Sequence, residues 1–506
     1  MLVVASILVV LFLTVCHLNN QICLYWKKRG IPFIPATSLF SKDIIRSFLL
    51  TPALLSEIYD RSKGKSFIGF FQMREPVLMV CTPDVINAVL NKDFHSFSST
   101  RKSECSSESD PLSQHLLALD GEKWKNIRSR LTPAFTSGKL KSMFPIIDSH
   151  VDEFLQFLEK HQGESIDAEE ICSCLSITNI LSCSFGLQTE CQNPNNARFI
   201  QVGKKAFEAG FWTLLKARFR MMFPRLFNLL KLKGYVSGHA NFCADFVREV
   251  IEHRKMTGFH RPDFVEILMK LRSDEVDKGE DGKSLSDSLI IAQVFSFLVA
   301  GYETTTTTLS CALFELAQDA HAAEKLRTEA QDAMELCGSL NYESVNSMDF
   351  LDRVIKEVLR KHPPVIFIPR VCTKKTTIPG TSALLEEGTQ LLIPVLALHR
   401  DPKYYPYPDE FLPQRFTSHS AKLSLPDTPY LPFSEGPRKC IGMRFALLEL
   451  KIALAKIVMD FDLKLDETSP KVITVEEFAR TYKMKNRIKL IFKRKSLTSQ
   501  DSCSTT

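Results

Sequence analysis

A mainly helical fold with small β-sheets, of the α+β class, is what this chain of 506 residues predicts. Apolar residues recur at helical spacing through most of the body. Strand-like runs are few and short, the clearest being Ser66 to Gln72 and Pro76 to Cys81, with others at Gln390 to Pro394 and Arg487 to Phe492. No internal repeat appears, and the only candidate linkers are the charged stretch Asp274 to Lys283 and the polar tail after Ser496. Neither splits the body. The 36 Phe residues are a heavy supply of aromatic carbon, enough to line a large apolar cavity. A net charge of +6, from 64 basic and 58 acidic residues, is small for this length, so no nucleic-acid partner is expected. The 14 cysteines lack metal or disulfide spacing and read as reduced thiols of a domain that faces the cytosol.

From Leu2 to Cys16 the chain is almost wholly apolar, and no charge precedes Lys27. A cleaved signal would carry a positive n-region and a small-residue cleavage site; neither is evident, so a retained anchor is favoured. The run is shorter than the ~20 residues of a typical span, so Leu24, Tyr25 and Trp26 are expected to help at the interface. Lys27, Lys28 and Arg29 follow, which leaves the N-terminus lumenal and the rest cytosolic. Gly30, Pro32 and Pro35 read as a stiff hinge. The expected division is an anchor over 1–26, a basic and proline-bearing hinge over 27–36, one folded body over 37–496 and a polar tail over 497–506.

Within the body, Trp124 and Arg128 stand at i, i+4 on one helix. Ala209 to Phe242 has six basic residues and no acidic one, interleaved with aromatic and aliphatic side chains. Two core helices with snorkelling stems and an interfacial amphipathic surface fit that composition equally well. Ser284 and Asp287 make a capping-box pattern ahead of apolar periodicity to about Leu316, which predicts a helix of ~30 residues and ~45 Å. Its middle holds Gly301 and five successive Thr, residues of low helix propensity. Phe297, Ala300 and Thr304 share one face there, pairing a small residue with a hydroxyl able to donate a proton, although a Thr run is often mere packing.

The pattern E-x-x-R occurs four times, at Glu324, Glu357, Glu435 and Glu477, where about one or two are expected by chance. Glu357 and Arg360 stand out, on a helix stopped by Pro363 and Pro364; the other three are expected to be coincidence. Arg370 follows the double proline, and Arg415 lies in Pro413-Gln414-Arg415-Phe416.

The last pattern is the most specific. Phe433-Ser-Glu-Gly436-Pro-Arg438-Lys-Cys440-Ile-Gly442 precedes an amphipathic helix from Met443 to Phe461. Exposed N–H groups and the positive helix end favour a thiolate at Cys440, Gly436 permits a tight turn, and Gly442 lets a flat group approach the backbone. A lone cysteine is usually an inert buried thiol. Five fixed positions, however, recur by chance in only about one chain in ten thousand of this length.

This pattern resembles the haem-binding loop of the cytochrome P-450 superfamily, and A-G-x-E-T-T at Ala300 to Thr305 resembles its oxygen-activating stretch. The likeness runs from Trp124 to Gly442 and looks most like an insect microsomal enzyme of the clan that includes the vertebrate drug-oxidising type. It implies that haem b lies between the long central helix and the cysteine loop, with Cys440 as axial ligand of the iron and Phe433 beside the sulfur. Trp124, Arg128, Arg370 and Arg438 would hold the propionates. Thr304, with Glu303, would hold dioxygen and relay protons, and Glu357, Arg360 and Arg415 would form a buried scaffold, although Gln414 departs from the usual Glu.

The implied activity is a monooxygenase that inserts one oxygen atom of O2 into an apolar small molecule. No nucleotide-binding glycine loop accompanies these matches, so electrons are expected from NADPH-cytochrome P-450 reductase, with cytochrome b5 as a second donor, on the endoplasmic reticulum membrane. Lys123, Lys125, Arg130, Lys139, Lys439 and Arg444 are candidates for a docking face. The expected chamber lining is Arg101 to Leu119, Phe211 to Phe227, Phe297, Val365 to Ile368 and Thr481 to Met484. Two rival classes stay open: a haem-thiolate isomerase or dehydratase, against which the intact Glu303-Thr304 pair argues, and a non-catalytic haem sensor.

Overall fold

In the computed structural model, the described residues are 24–36, 44–72, 75–100, 114–187, 199–201, 224–230, 237–258, 263–277, 287–381, 383–417, 427–477 and 481–495, with a few single positions between them. The apolar run from Leu2 to Cys16, the capping residue Ser284 and the tail lie outside them.

Among the described residues helices dominate, and nine short strands form three small sheets. The largest sheet orders β1 (Phe67–Gln72), β2 (Glu75–Val80), β7 (Gln390–Ile393) and β4 (Ile368–Val371). β1 and β2 pair antiparallel with Phe67 opposite Val80; β2 meets β7 in parallel, and β7 meets β4 antiparallel with Leu391 opposite Arg370. A second sheet orders β3 (Ser165–Asp167), β9 (Lys489–Arg494) and β8 (Phe461–Leu465); β5 (Thr376–Thr377) and β6 (Leu384–Leu385) make the third. The mainly helical expectation therefore holds. The strands it missed, β3, β4, β5, β6 and β8, have two to five residues, too few for a period to register.

The central helix, Asp287–Gln318, has 32 residues, and at 1.5 Å per residue it runs for about 48 Å. Gly301 fits here for a reason unrelated to propensity: a Cβ on it would stand 2.7 Å from Ile180 Cδ1. The glycine lets the central helix approach the helix Ala168–Phe185 closely. The Cys440 helix, Met443–Asp460, ends one residue earlier than expected, because Phe461 already has extended dihedrals and opens β8.

Among the described residues three apolar clusters form the core. One joins the second half of the central helix to the Cys440 helix and to the helix Asp349–Lys361. Another lies on the largest sheet. The third surrounds the first half of the central helix and the helix Gly121–Leu131 that bears Trp124.

Two boundary expectations need correction. Trp26, expected at the membrane interface, is 0% exposed and lies in the cluster on the largest sheet. Its Nε1 donates to Phe70 O at 3.1 Å, and Tyr25 packs edge-on against it at 4.8 Å. The stretch expected to act as a hinge is tied down as well, since Ile34 N donates to Gly69 O and Gly69 N to Pro32 O, both at 2.8 Å. The folded body therefore begins by Leu24, not at residue 37. Composition misled because an aromatic beside a basic run suits a core as well as an interface. The candidate linker is the other case: Asp274 to Asp277 close the helix Phe264–Asp277, and the rest of that stretch lies outside the described residues.

Candidate functional site

The cysteine loop folds as it does for local reasons. Ser434 and Gly436 both have positive φ, 60° and 77°, and a Cβ on Gly436 would fall 2.0 Å from the carbonyl oxygen of Leu90, so no other residue fits there. The turn closes when Cys440 N donates to Phe433 O at 2.9 Å. Phe433 is half-buried against the cluster of the Cys440 helix, while Ile441 and Phe445 pack into the cluster of the central helix.

Cys440 is largely enclosed by protein, yet it presents open surface. A Cβ on Gly442 would likewise meet no atom within 4 Å, although its φ of −86° suits any residue. The backbone gives no reason for glycine there, so the space beside Cys440 is what its missing side chain preserves. Burial raises the Cys440 thiol above its ordinary range, while the Gly442 and Met443 N–H groups and the Arg128 and Lys439 charges pull it back. A thiolate ligand is supported by those donors and cations.

Around this loop stand three guanidinium groups. Arg438 donates to Ser98 O at 2.6 Å and Leu119 O at 2.8 Å, meets Asp120 Oδ1 at 2.7 Å, and lies over the Trp124 ring at 4.4 Å. Arg128 donates to Lys439 O at 2.8 Å, and desolvation lowers its pKa. Arg370, on β4, is 3% exposed; it donates to Pro369 O at 2.8 Å and reaches Ser434 Oγ only at 3.5 Å. Its Nε has no partner. Burial, with the charge of Arg438, lowers Arg370 to about 10. Among the described residues neither Arg128 nor Arg370 is paired with a carboxylate. Two under-compensated guanidiniums beside an open-faced thiol form a cradle for a flat group bearing two acids, which is the shape and charge of haem.

Asp120 was not foreseen. It has the residue type and position of a helix N-cap, but its carboxylate accepts from Arg438 and, on Oδ2, from Ser99 Oγ at 2.7 Å instead of capping. Only the Asp-Gly start of that helix was visible in sequence.

Thr304 and Glu303 sit half-buried on the central helix. The Thr304 hydroxyl donates to Ala300 O at 2.7 Å. It is thus set to accept from a group in the site, and can donate only by releasing that carbonyl.

The scaffold residues lie apart from this cradle. Glu357 and Arg360 are both 0% exposed and joined by two bonds of 2.8 Å. Arg415 Nε and Leu412 N each donate to the same Glu357 Oε1 at 3.0 Å. Arg360 also donates to the carbonyls of His399, Pro408 and Glu410. Of the other E-x-x-R copies, Glu324 and Arg327 do pair, contrary to the expectation of coincidence, though Glu324 remains 56% exposed. Glu435 reaches Lys439 at 3.9 Å, and the copy at Glu477 ends on a residue outside the described ones.

Residues 56–492 match the family described as Cytochrome P450. The chain is 32% identical over 484 residues to cytochrome P450 6a2 of Drosophila melanogaster, covering 93% of this chain and 95% of that protein. It is 31% identical over 468 residues to cytochrome P450 6k1 of Blattella germanica, with 88% of each covered. It is 34% identical over 447 residues to probable cytochrome P450 6a13 of Drosophila melanogaster, with 86% and 88% covered.

Proposed function

Because this chain belongs to the cytochrome P450 family and is a haem-dependent monooxygenase, we propose that it oxidises apolar small molecules at the cytosolic face of the endoplasmic reticulum. Electrons come from NADPH through a flavoprotein reductase, with cytochrome b5 as an additional donor. One atom of O2 enters the substrate, and the other leaves as water with two protons and two electrons. Bound haem b supplies the reductive activation of dioxygen, made stronger by a thiolate donor.

The observation that carries this reading is the pairing of Cys440, which presents open surface, with under-compensated Arg128 and Arg370. Cys440 would hold the haem iron through its sulfur, which the Gly442 and Met443 N–H groups steady. Trp124, Arg128, Arg370 and Arg438 hold the propionates, with Asp120 fixing Arg438 in place. Phe433 shields the sulfur from water, and Gly442 keeps the adjacent space clear. Thr304 and Glu303 would hold and pass protons, the Thr304 hydroxyl switching from its bond to Ala300 O. Glu357, Arg360 and Arg415 set the chain that leads into the cysteine loop.

The docking face rests on charge: Lys123, Lys125 and Arg444 are exposed, and Arg444 Nη1 reaches Ser137 Oγ at 3.5 Å, drawing the two basic stretches together. Among the described residues the one helix long and apolar enough to cross a membrane is Leu289–Gln318, which is mostly buried and serves as core. Membrane attachment is assigned to the apolar N-terminal run, with a second contact in Ala209 to Phe242. Half of that second stretch lies outside the described residues, but Leu226, Leu229 and Leu230 are exposed there while Phe227 is buried.

Cys440→Ser is expected to abolish the carbon monoxide difference band at the wavelength that names the family, because a hydroxyl is a poor donor to iron. Retention of the band overturns the ligand assignment. NADPH consumption and product formation with added reductase separate a monooxygenase from a peroxide isomerase and from a sensor. A chain lacking residues 1–23, which keeps Trp26, should still bind anionic vesicles, and salt should weaken this without eliminating it. Failure to sediment with vesicles at low salt removes the second contact.

A further inference from the structure

Gln293 is fully buried on the central helix, 0% exposed, and no motif points to it. Both ends of its amide are used on one loop: Leu116 N donates to its Oε1, and its Nε2 donates to Gln114 O, each at 2.8 Å. The loop from Gln114 to Asp120 belongs to no strand and holds itself by turns, with Ala118 N and Leu119 N bonded to His115 O at 2.8 and 3.1 Å. The glutamine side chain therefore does for this loop what an adjacent strand would do.

Its place along the helix gives this clamp a direction. Gln293, Phe297, Ala300 and Thr304 recur at i, i+4, i+7 and i+11, so they lie on one face, and Gln293 stands about 16 Å from Thr304 along the axis. The loop it holds thus covers the side of the helix that carries Thr304. The far end of the same loop is held by the cysteine loop, where Arg438 takes Leu119 O at 2.8 Å and Asp120 Oδ1 at 2.7 Å. Leu116, buried at 5% exposure, and Leu119 turn toward the cluster that contains Phe295, Leu298 and Phe297.

We propose that Gln293 is a positioning residue that fixes the Gln114 to Asp120 loop as a wall of the substrate chamber, and so sets which apolar molecules fit. This rests on the apolar-chamber reading above. Without the amide, a buried N–H and a part-buried C=O lose their partners, and the loop relieves that cost only by shifting toward water. The wall moves while the cysteine loop and the scaffold keep their own bonds.

The test uses the full-length holoprotein with Gln293→Leu and Gln293→Glu, and two azoles that bind the haem iron, imidazole and 4-phenylimidazole. Imidazole is too small to reach the wall; the aryl compound is not. Gln293→Leu should weaken 4-phenylimidazole about tenfold or more while imidazole stays within about twofold, judged by the shift of the main haem absorbance band. Hydrogen exchange in peptides covering residues 114–120 should accelerate. Gln293→Glu keeps an acceptor for Leu116 N–H but has no donor for Gln114 O when ionised. Lowering the pH restores that donor, so its affinity for the aryl azole should approach that of the unaltered chain measured at the same pH. Gln293→Leu should show no such recovery.

If Gln293→Leu leaves both the azole ratio and the loop exchange unchanged, the inference is overturned. Equal weakening of both azoles with loss of the carbon monoxide band also overturns it, since that marks a general loss of fold. If the unaltered chain shows no preference for the aryl azole over imidazole, the apolar-chamber reading fails instead, and loop exchange still decides whether Gln293 holds the loop.

Discussion

Arg360 and Arg415 share the carboxylate of Glu357 deep in the body, whereas Arg128, Arg370 and Arg438 gather near Cys440 with Asp120 as their one carboxylate partner among the described residues. The first cluster is complete. Carbonyls of His399, Pro408 and Glu410 take the remaining donors of Arg360, so nothing further is needed to satisfy it. The second keeps a buried Nε on Arg370 without a partner, and among the described residues neither Arg128 nor Arg370 meets a carboxylate. A self-satisfied ion cluster is a device for holding chain segments together, and an unsatisfied one is a device for receiving an anion. Guanidinium groups are thus proposed to serve structure in one place and ligand binding in the other, and since each cluster has one carboxylate among the described residues, what separates them is whether the donors are satisfied within the protein.

The largest effect should come from breaking the complete cluster. Glu357→Ala strands two guanidiniums in a buried site and should cost about 3–5 kcal/mol, read from the denaturation midpoint or from collapse of holoprotein yield. An unchanged midpoint would mean that the cluster does not hold the fold. Asp120→Ala comes next, with an expected loss of about 1.5–3 kcal/mol from the charged bond to Arg438, measured by denaturation of the same holoprotein. A double-mutant cycle with Arg438→Met isolates that pair, and strict additivity would show that they do not interact.

Arg370→Met sharpens the contrast because its two readouts should diverge. Haem should pass to a scavenger protein about tenfold faster, as one propionate partner is lost. The haem-free fold should be at least as stable as before, since a buried charge already pushed down to about 10 has been removed. A parallel loss of haem-free stability would make Arg370 structural, like Arg360. The smallest effect belongs to Glu324→Ala, where an exposed carboxylate leaves Arg327 still bonded to Asp462 and to the carbonyls of Val458 and Phe461. A change under about 0.5 kcal/mol is expected, and a larger one would show that exposure does not distinguish the two E-x-x-R pairs.

How much of this was legible in the sequence follows from how local each feature is. The cysteine loop could be read because its demands are made by the backbone: the positive φ of Gly436 and its contact with Leu90 O admit only glycine, and the spacing to Cys440 follows. The mainly helical class and the central helix were legible through their period over many turns. The E-x-x-R pattern carried little by itself, because what separates Glu357 from Glu324 is burial, a property of the whole fold. Asp120 and Gln293 were invisible for a related reason. Their partners lie 318 and 177 residues away, and no one-dimensional pattern links such positions. Trp26 was misplaced because its neighbours in sequence are basic and apolar while its neighbours in space are Phe70 and Phe71.

The burial of Trp26 also fixes the length of a leash. With the apolar run ending at Cys16 and the body beginning by Leu24, seven residues lie between them, and the eight Cα–Cα steps span no more than about 26–29 Å at full extension. If the N-terminal run is seated in the bilayer, the body is restricted to a shell of that depth above the lipid. Its encounters with other proteins of that membrane then become a search across a surface, not through a volume. Loosening Trp26 would lengthen this leash by releasing the segment from Leu24 to Ala36, and would trade local concentration for freedom to turn.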